Sequence, residues 1–473
     1  MARVGEQLAL GVRYDASGEI ELRDAAATHN SSLPVHRWVP WIAGFSARFV
    51  EDVIEAYLGK GCRSRQQVLD PFAGVGTTMV EALKAGCDAI GYEINAFAAL
   101  AARAKVDCVD VSKDAFKAEV DVFRTDMGRF ESEVDRRWME GGAEAVGGVV
   151  ETLRVARPPH FRSRIAFFSP PVEAKFLYAL GRIASLGQPD RTLFQAALGA
   201  TMISFSNYSY EPSLSSRPGA GKPLIENASV ALPVLTKLGH MLEDIEWCQA
   251  SYGAAWRQRR REVIQGSYFG SRLAAGTVSL LITSPPYMNN YHYVRNTRPQ
   301  LHWLGLISGP EDLRDYEQQS FGKFWQTVRQ GSPIGLDFDF PELAAKLAQL
   351  RCLNVERGQY GGPGWANYVA TYFNDSGRFL DLAKGQLKRG AYAVIVVGNC
   401  IIQGMEFRVD RLLAEMAESR GFRVEGVRIV RTKRVGNSII DSSVRRSQGN
   451  GGKHDTQLYD AALILRADGC RRG

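Results

Sequence analysis

No stretch of about eighteen consecutive apolar residues occurs anywhere in the 473-residue chain, so there is no candidate membrane-spanning helix. The opening residues, Met1-Ala2-Arg3-Val4-Gly5-Glu6, lack the basic-then-apolar pattern of a secretory leader. The seven cysteines stand at 62, 87, 108, 248, 352, 400 and 470, with no CxxC pair and no histidine cluster beside them. Such spacing predicts neither a disulfide framework nor a zinc site; no metal is expected, and a cytoplasmic, reducing setting is. There is no internal repeat and no long low-complexity run. What is present is ordinary for a globular enzyme: 45% hydrophobic and 23% charged residues. The formal charge of +7 permits a polyanionic partner without requiring one. The length suits two domains, or one catalytic domain carrying large insertions.

Residues 1–35 show weak strand-like alternation followed by turn residues, and form an N-terminal extension. Ser46 has the character of a helix N-cap ahead of Phe49, Val50, Val53, Ile54 and Tyr57, which share one helical face. A strand (67–72), a glycine turn, a helix (77–85) and a second strand (88–93) then make a β-α-β unit, the start of a parallel sheet. Another helix is predicted over 96–105. The rhythm breaks over 107–260, a mainly helical insertion, and resumes with Glu262 to Ser267 and a strand ending at Thr283. A second irregular stretch, 308–364, precedes a tail of helix, strand, helix and two more strands. The expectation is an α/β, Rossmann-like, mostly parallel sheet with helices on both faces, built from 36–106 and 261–473.

Two short motifs carry the chemistry. The first is Asp70-Pro71-Phe72-Ala73-Gly74-Val75-Gly76-Thr77-Thr78. Gly74 and Gly76 stand between a strand and a helix, where missing side chains let a ligand approach the backbone. Glu93 ends the next strand, where a carboxylate can accept hydrogen bonds from two ribose hydroxyls. A dinucleotide fingerprint fits less well, because its sixth position is Met79 rather than glycine. Asp70 before the glycines suits a cationic cofactor, so S-adenosylmethionine (SAM) is expected.

The second motif is Thr283-Ser284-Pro285-Pro286-Tyr287 after the apolar run Val278 to Ile282. Methylating a base amine is hard because its lone pair is delocalised into the ring. Acceptors aimed at the amine hydrogens favour a pyramidal nitrogen able to attack a methyl group directly. Ser284 and the Pro285 carbonyl are the natural acceptors; Pro285 and Pro286 fix the backbone. Tyr287 offers a face on which an extruded base can stack. No Pro-Cys pair stands here, which argues against carbon-5 cytosine chemistry. A second Ser-Pro-Pro, at Ser169-Pro170-Pro171, lacks the aromatic and is read as a helix start.

These motifs resemble those of the DNA amino-methyltransferases, most closely the cytosine-N4 group, from about His36 to the end apart from the insertions. The resemblance implies that residues 36–49, Phe45 among them, close over the methionine part of SAM. It implies SAM contacts at Asp70, Pro71, Phe72, Gly74, Gly76, Thr77, Thr78 and Glu93. Gly266-Ser267 stands where such enzymes commonly carry Gly-Asp beside the cofactor adenine, and the serine is a departure. The Thr-Ser form of the catalytic motif leans towards cytosine-N4 over adenine-N6. Asn399, ending a strand near the site, is either a site residue or a turn cap. The order of motifs departs from the commonest family arrangements, since the large insertion falls between Glu93 and Gly266.

Double-stranded DNA is the expected partner, with a cognate restriction endonuclease acting on the same site, in a prokaryotic or phage setting. The 107–260 insertion is the expected reader of the target. Its basic candidates are Arg217, Lys222, Arg257, Arg259 and Arg260, joined by Arg445 and Arg446 in a glycine-rich tail loop. Two other readings remain open here: an RNA base methyltransferase, and a catalytically silent DNA-recognition subunit.

Overall fold

The computed structural model describes residues 22–41, 44–59, 65–153, 155, 163–210, 213–289, 291–433 and 458–468. Seven strands form one sheet: β1 (Gln67–Asp70), β2 (Asp88–Glu93), β3 (Arg261–Gln265), β4 (Val278–Thr283), β5 (Leu387–Gly398), β6 (Arg423–Lys433) and β7 (Leu458–Arg466). Their spatial order is β6-β7-β5-β4-β1-β2-β3. All neighbours pair in parallel except β7, which is antiparallel to both β5 and β6. The dinucleotide-binding order, 3-2-1-4-5-6, is therefore kept apart from one inserted antiparallel strand.

Strand side chains alternate between two cores, as the two-residue period requires. Val394 and Val396 of β5 join one core; Ala393, Ile395 and Val397 join the other. On the first face lie α1 (Ala47–Leu58), α2 (Thr77–Lys84) and α3 (Ala96–Val106). The insertion follows as α4 (Lys113–Thr152, broken at Gly141 and Gly142), α5 (Pro170–Ala184), α6 (Asp190–Thr201) and α7 (Ala231–Arg257). It shares the first core through Phe116, Phe176, Phe194 and Trp256. Beyond β4 come α8 (Tyr293–Trp303), α9 (Pro310–Gln319), α10 (Trp325–Val328), α11 (Pro341–Arg351), α12 (Gly362–Gln386) and α13 (Val409–Ser419). Val369, Phe373 and Leu412 of α12 and α13 fill the second face.

Local chemistry explains the boundaries. Ser46 caps α1 by accepting from the Phe49 N–H. Met79 costs α2 no packing, because Gly91 of β2 offers no Cβ; one there would collide with the Met79 side chain. Ser169-Pro170-Pro171 does start a helix, α5, but the Ser169 hydroxyl makes no capping bond. Part of the N-terminal extension packs on the sheet domain: Arg23 Nε donates to Asp52 of α1 at 2.9 Å, and Ala26 bridges Phe45. Cys87 is disulfide-bonded, a bond its scattered spacing did not announce, while Cys108, Cys248, Cys352 and Cys400 are free. Among the described residues no helix is long and apolar enough to cross a membrane, and no acid, histidine and cysteine cluster could hold a metal.

Candidate active site

A cavity of about 260 Å³ opens at the carboxyl ends of the parallel strands, where the strand order reverses between β1 and β4. Open α/β sheets bind ligands at this point, because two neighbouring loops leave in opposite directions and part there. The two predicted motifs both reach it, from opposite sides of the β1/β4 pair.

On one side stand Asp70, Pro71, Phe72, Gly74 and Thr77, with Trp41 and Phe45 above them. Glu93 faces this turn. Its Oε2 accepts from the Gly74 N–H at 2.8 Å and its Oε1 from the Asn95 N–H at 2.7 Å. Burial pushes this carboxyl up to about 7 although both amides pull it down. Asp70 is deeper; it accepts from Thr283 Oγ1 at 2.6 Å and from the Phe72 N–H at 3.0 Å, and burial raises its pKa too. Ser267 lines the cavity and donates to the Gln319 carbonyl at 3.4 Å.

Two expected contacts are displaced. Gly76 and Thr78 do not line the cavity. Gly76 has φ +83°, and a Cβ on it would stand 3.0 Å from the Ala102 Cβ of α3. The glycine is there for a left-handed turn and a close helix approach. Thr78 is buried beneath the turn. His36, at the start of the segment expected to close the site, is instead buried against Glu81 of α2 at 2.7 Å.

On the other side stand Ser284, Pro286 and Tyr287; Pro285 is buried and does not line the cavity. Ser284 Oγ donates to the Val396 carbonyl of β5 at 3.3 Å, which leaves its lone pairs as acceptors. Tyr287 is held protonated by burial and by the charge of Asp460. His292 completes this wall. Its Nδ1 accepts from the Arg295 N–H at 3.2 Å, so the neutral ring donates from Nε2 to Glu317, 3.0 Å away. Burial and Arg295 lower its pKa to about 4.

Several contributors carried no local signal. Asn95 caps α3 and donates to Thr297 of α8 at 2.7 Å, tying the Glu93 turn to the helix after the catalytic loop. Glu317, Phe321, Lys323 and Phe324 bring the second irregular stretch into the cavity wall, and Ala25 and Ala26 bring the N-terminal extension. Asn399 does not line the cavity; its Oδ1 accepts from the Tyr459 N–H of β7 at 2.8 Å and its amide donates to Glu406, so it ties the end of β5 to the neighbouring strand.

The basic candidates separate. Arg257, Arg259 and Arg260 precede β3, at the strand end opposite the cavity. Arg257 Nε donates to the Val109 carbonyl at 2.9 Å and Arg260 pairs with Glu262 at 2.5 Å. Arg217 and Lys222 follow a two-stranded hairpin, Tyr208–Tyr210 with Leu214–Ser216. That hairpin docks on α8, where the Tyr210 hydroxyl donates to the Asn296 carbonyl at 2.9 Å. Arg445 and Arg446 lie outside the described residues.

Residues 26–103, which hold the glycine turn and Glu93, match the N6/N4 methyltransferase family model, described as DNA methylase. The chain is 23% identical over 418 residues to the type II methyltransferase M.AvaI of Nostoc sp., covering 86% of this chain and 83% of that protein. The chain resembles the DNA amino-methyltransferases, through the family model over its glycine-turn region and, at lower identity, along most of its length. The type II methyltransferase M.BsoBI of Geobacillus stearothermophilus is 24% identical over 437 residues, covering 83% of this chain and 80% of that protein. A shorter match, 30% identical over 69 residues, joins 15% of this chain to 13% of M.MjaII of Methanocaldococcus jannaschii. SAM is the methyl donor of this DNA methyltransferase family. The cavity suits such a group: two carboxyl groups, buried Asp70 and partly exposed Glu93, oppose a cation, and the Phe72, Phe269 and Phe321 rings line an apolar slot.

Proposed function

We propose that this amino-methyltransferase modifies the N4 amine of cytosine in a specific duplex DNA sequence, after the base has been turned out of the helix. The observation that carries the reading is Thr283-Ser284-Pro285-Pro286-Tyr287 at the end of β4, opening into the same cavity as Gly74 and Glu93. Ser284 takes up the amine hydrogens on its hydroxyl oxygen, and the Tyr287 ring receives the base face, a contact worth about 1–3 kcal/mol. Bound SAM supplies an electrophilic methyl group. Asp70 and Glu93 give its end of the cavity the negative character that a cation requires, and the apolar walls exclude water that would compete for the amine hydrogens. Among the described residues none that lines the cavity is cysteine, which agrees with direct transfer to nitrogen.

We assign target reading to residues 107–260, with 308–364 assisting. The hairpin seated on α8 reaches the helix that follows the catalytic loop, and Phe321 to Phe324 lie in the cavity wall. The type II character of the relatives supports a restriction-modification setting, with an endonuclease of the same specificity as partner. The test is methyl transfer from SAM to unmethylated genomic DNA by the full chain, with the product digested to nucleosides and identified by mass. N4-methylcytosine is the expected product. N6-methyladenine would keep every residue role and overturn the choice of base; no product with SAM bound would overturn the DNA reading.

A further inference from the structure

Asp460 of β7 is a carboxylate with 5% exposure that opens on the cavity, far in sequence from both motifs and used by neither. The antiparallel register places it directly opposite Gly398, the last residue of β5. A Cβ built on Gly398 would meet Asp460 Oδ1 at 2.9 Å and two Tyr287 ring carbons at 3.2 Å. The carboxylate and the ring therefore converge on the one spot that this glycine leaves open. Tyr287 itself is bonded through its hydroxyl towards both Ser284 and Asp460.

Resting on the reading of Tyr287 as the base platform, we propose that Asp460 is a positioning residue for methyl transfer. It accepts the Tyr287 hydroxyl proton as a hydrogen bond and fixes the ring plane beside Ser284 before the base arrives. A ring held only by packing can tilt about its side-chain torsions, whereas an anchored hydroxyl removes that freedom in advance. The arrangement also gives a physical reason for tyrosine over phenylalanine at 287 and for glycine at 398.

The test is a double-substitution cycle on the full chain, read as kcat and KM for unmethylated DNA alongside SAM affinity and thermal midpoint. Asp460→Ala is expected to lower kcat about 10- to 100-fold, within the range of a misplaced reacting group, with SAM affinity unchanged. Tyr287→Phe should lose a similar factor, and the double variant no more than either alone. Asp460→Asn, whose amide oxygen still accepts, should restore most of the rate. Additive losses, or a loss matched by weaker SAM binding and a lower midpoint, would overturn the positioning role. Wild-type protein inactive on DNA would defeat the functional reading instead. The contact is then judged by ultraviolet titration of the phenol, using wild type minus Tyr287→Phe: an Asp460→Asn change that leaves the Tyr287 signal unmoved overturns it.

Discussion

Thr283 donates its side-chain hydroxyl to Asp70 Oδ1 at 2.6 Å across the buried β1/β4 pair. This bond joins the last residue of the catalytic strand to the first residue of the glycine turn, so the two halves of the site share a support. Thr283→Val keeps the shape and removes this donor, leaving Asp70 the Phe72 N–H and the neighbouring Thr78 hydroxyl. Losing a bond to a buried charged group costs roughly 1–3 kcal/mol, readable by denaturant unfolding. SAM affinity and turnover are expected to fall together, and Thr283→Ser to recover both. Loss of turnover alone would show that the halves are independent.

Glu93 gives the site a pH dependence. Its carboxyl, pushed up to about 7 by burial, is largely protonated at pH 6, while ribose hydroxyls and a cationic ligand favour the ionised form. SAM binding should therefore release a proton below about pH 7 and weaken as pH falls. Calorimetry in buffers of different ionisation enthalpy measures that proton. Glu93→Gln should abolish it and flatten the profile. The ligand-free fold should show the converse: the folded form binds more protons between about pH 4.5 and 7, so stability declines as pH rises through that window.

Local patterning made much of the sheet and both motifs readable. The β-α-β unit around Gly74 and the strand before Ser284 are short apolar runs ended by turn chemistry, and they stand where that pattern puts them. Contacts between distant segments were not readable. Gly76 looked like a ligand glycine because its obstacle, Ala102, lies on another helix. The run Arg257 to Arg261 looked like a DNA patch because the Val109 carbonyl and the acids Asp107 and Asp110 that engage it are about 150 residues upstream. Asp460 stands near the start of an apolar strand with no motif around it, and only the register sets it against Gly398.

The two glycines of the turn should separate in their effects. Gly76→Ala meets both a left-handed backbone and the Ala102 methyl, so it should destabilise the whole domain by roughly 2–3 kcal/mol. Gly74 is also left-handed, at φ +51°, but the nearest atom to its Cβ is Trp41 Nε1 at 3.5 Å. Gly74→Ala should cost about 1–2 kcal/mol from backbone strain and weaken SAM binding further by reaching into the cavity. Denaturation midpoints and SAM titration distinguish the pair; equal losses of affinity per unit of stability would contradict the division.

Electrostatic placement makes the last prediction, on DNA binding. A cation that neutralises a phosphate releases a counterion, so each one removed should lower the salt slope by about 0.9. Arg217 and Lys222 follow the hairpin seated on α8, the helix after the catalytic loop, and Arg217 Nε donates to the nearby Pro223 carbonyl at 2.7 Å. Replacing both with glutamine should flatten the slope by roughly two. Arg257 and Arg260 flank the opposite strand ends, where the first serves the Val109 carbonyl and the second pairs with Glu262. Their replacement should leave the slope unchanged, although Arg257→Gln lowers stability by freeing that carbonyl. Fluorescence anisotropy with a short duplex across a salt series gives both numbers. The reverse pattern would move the DNA to the far edge of the sheet, where it could not deliver a base to Ser284, and would undo the assignment of the cavity as the methylation site.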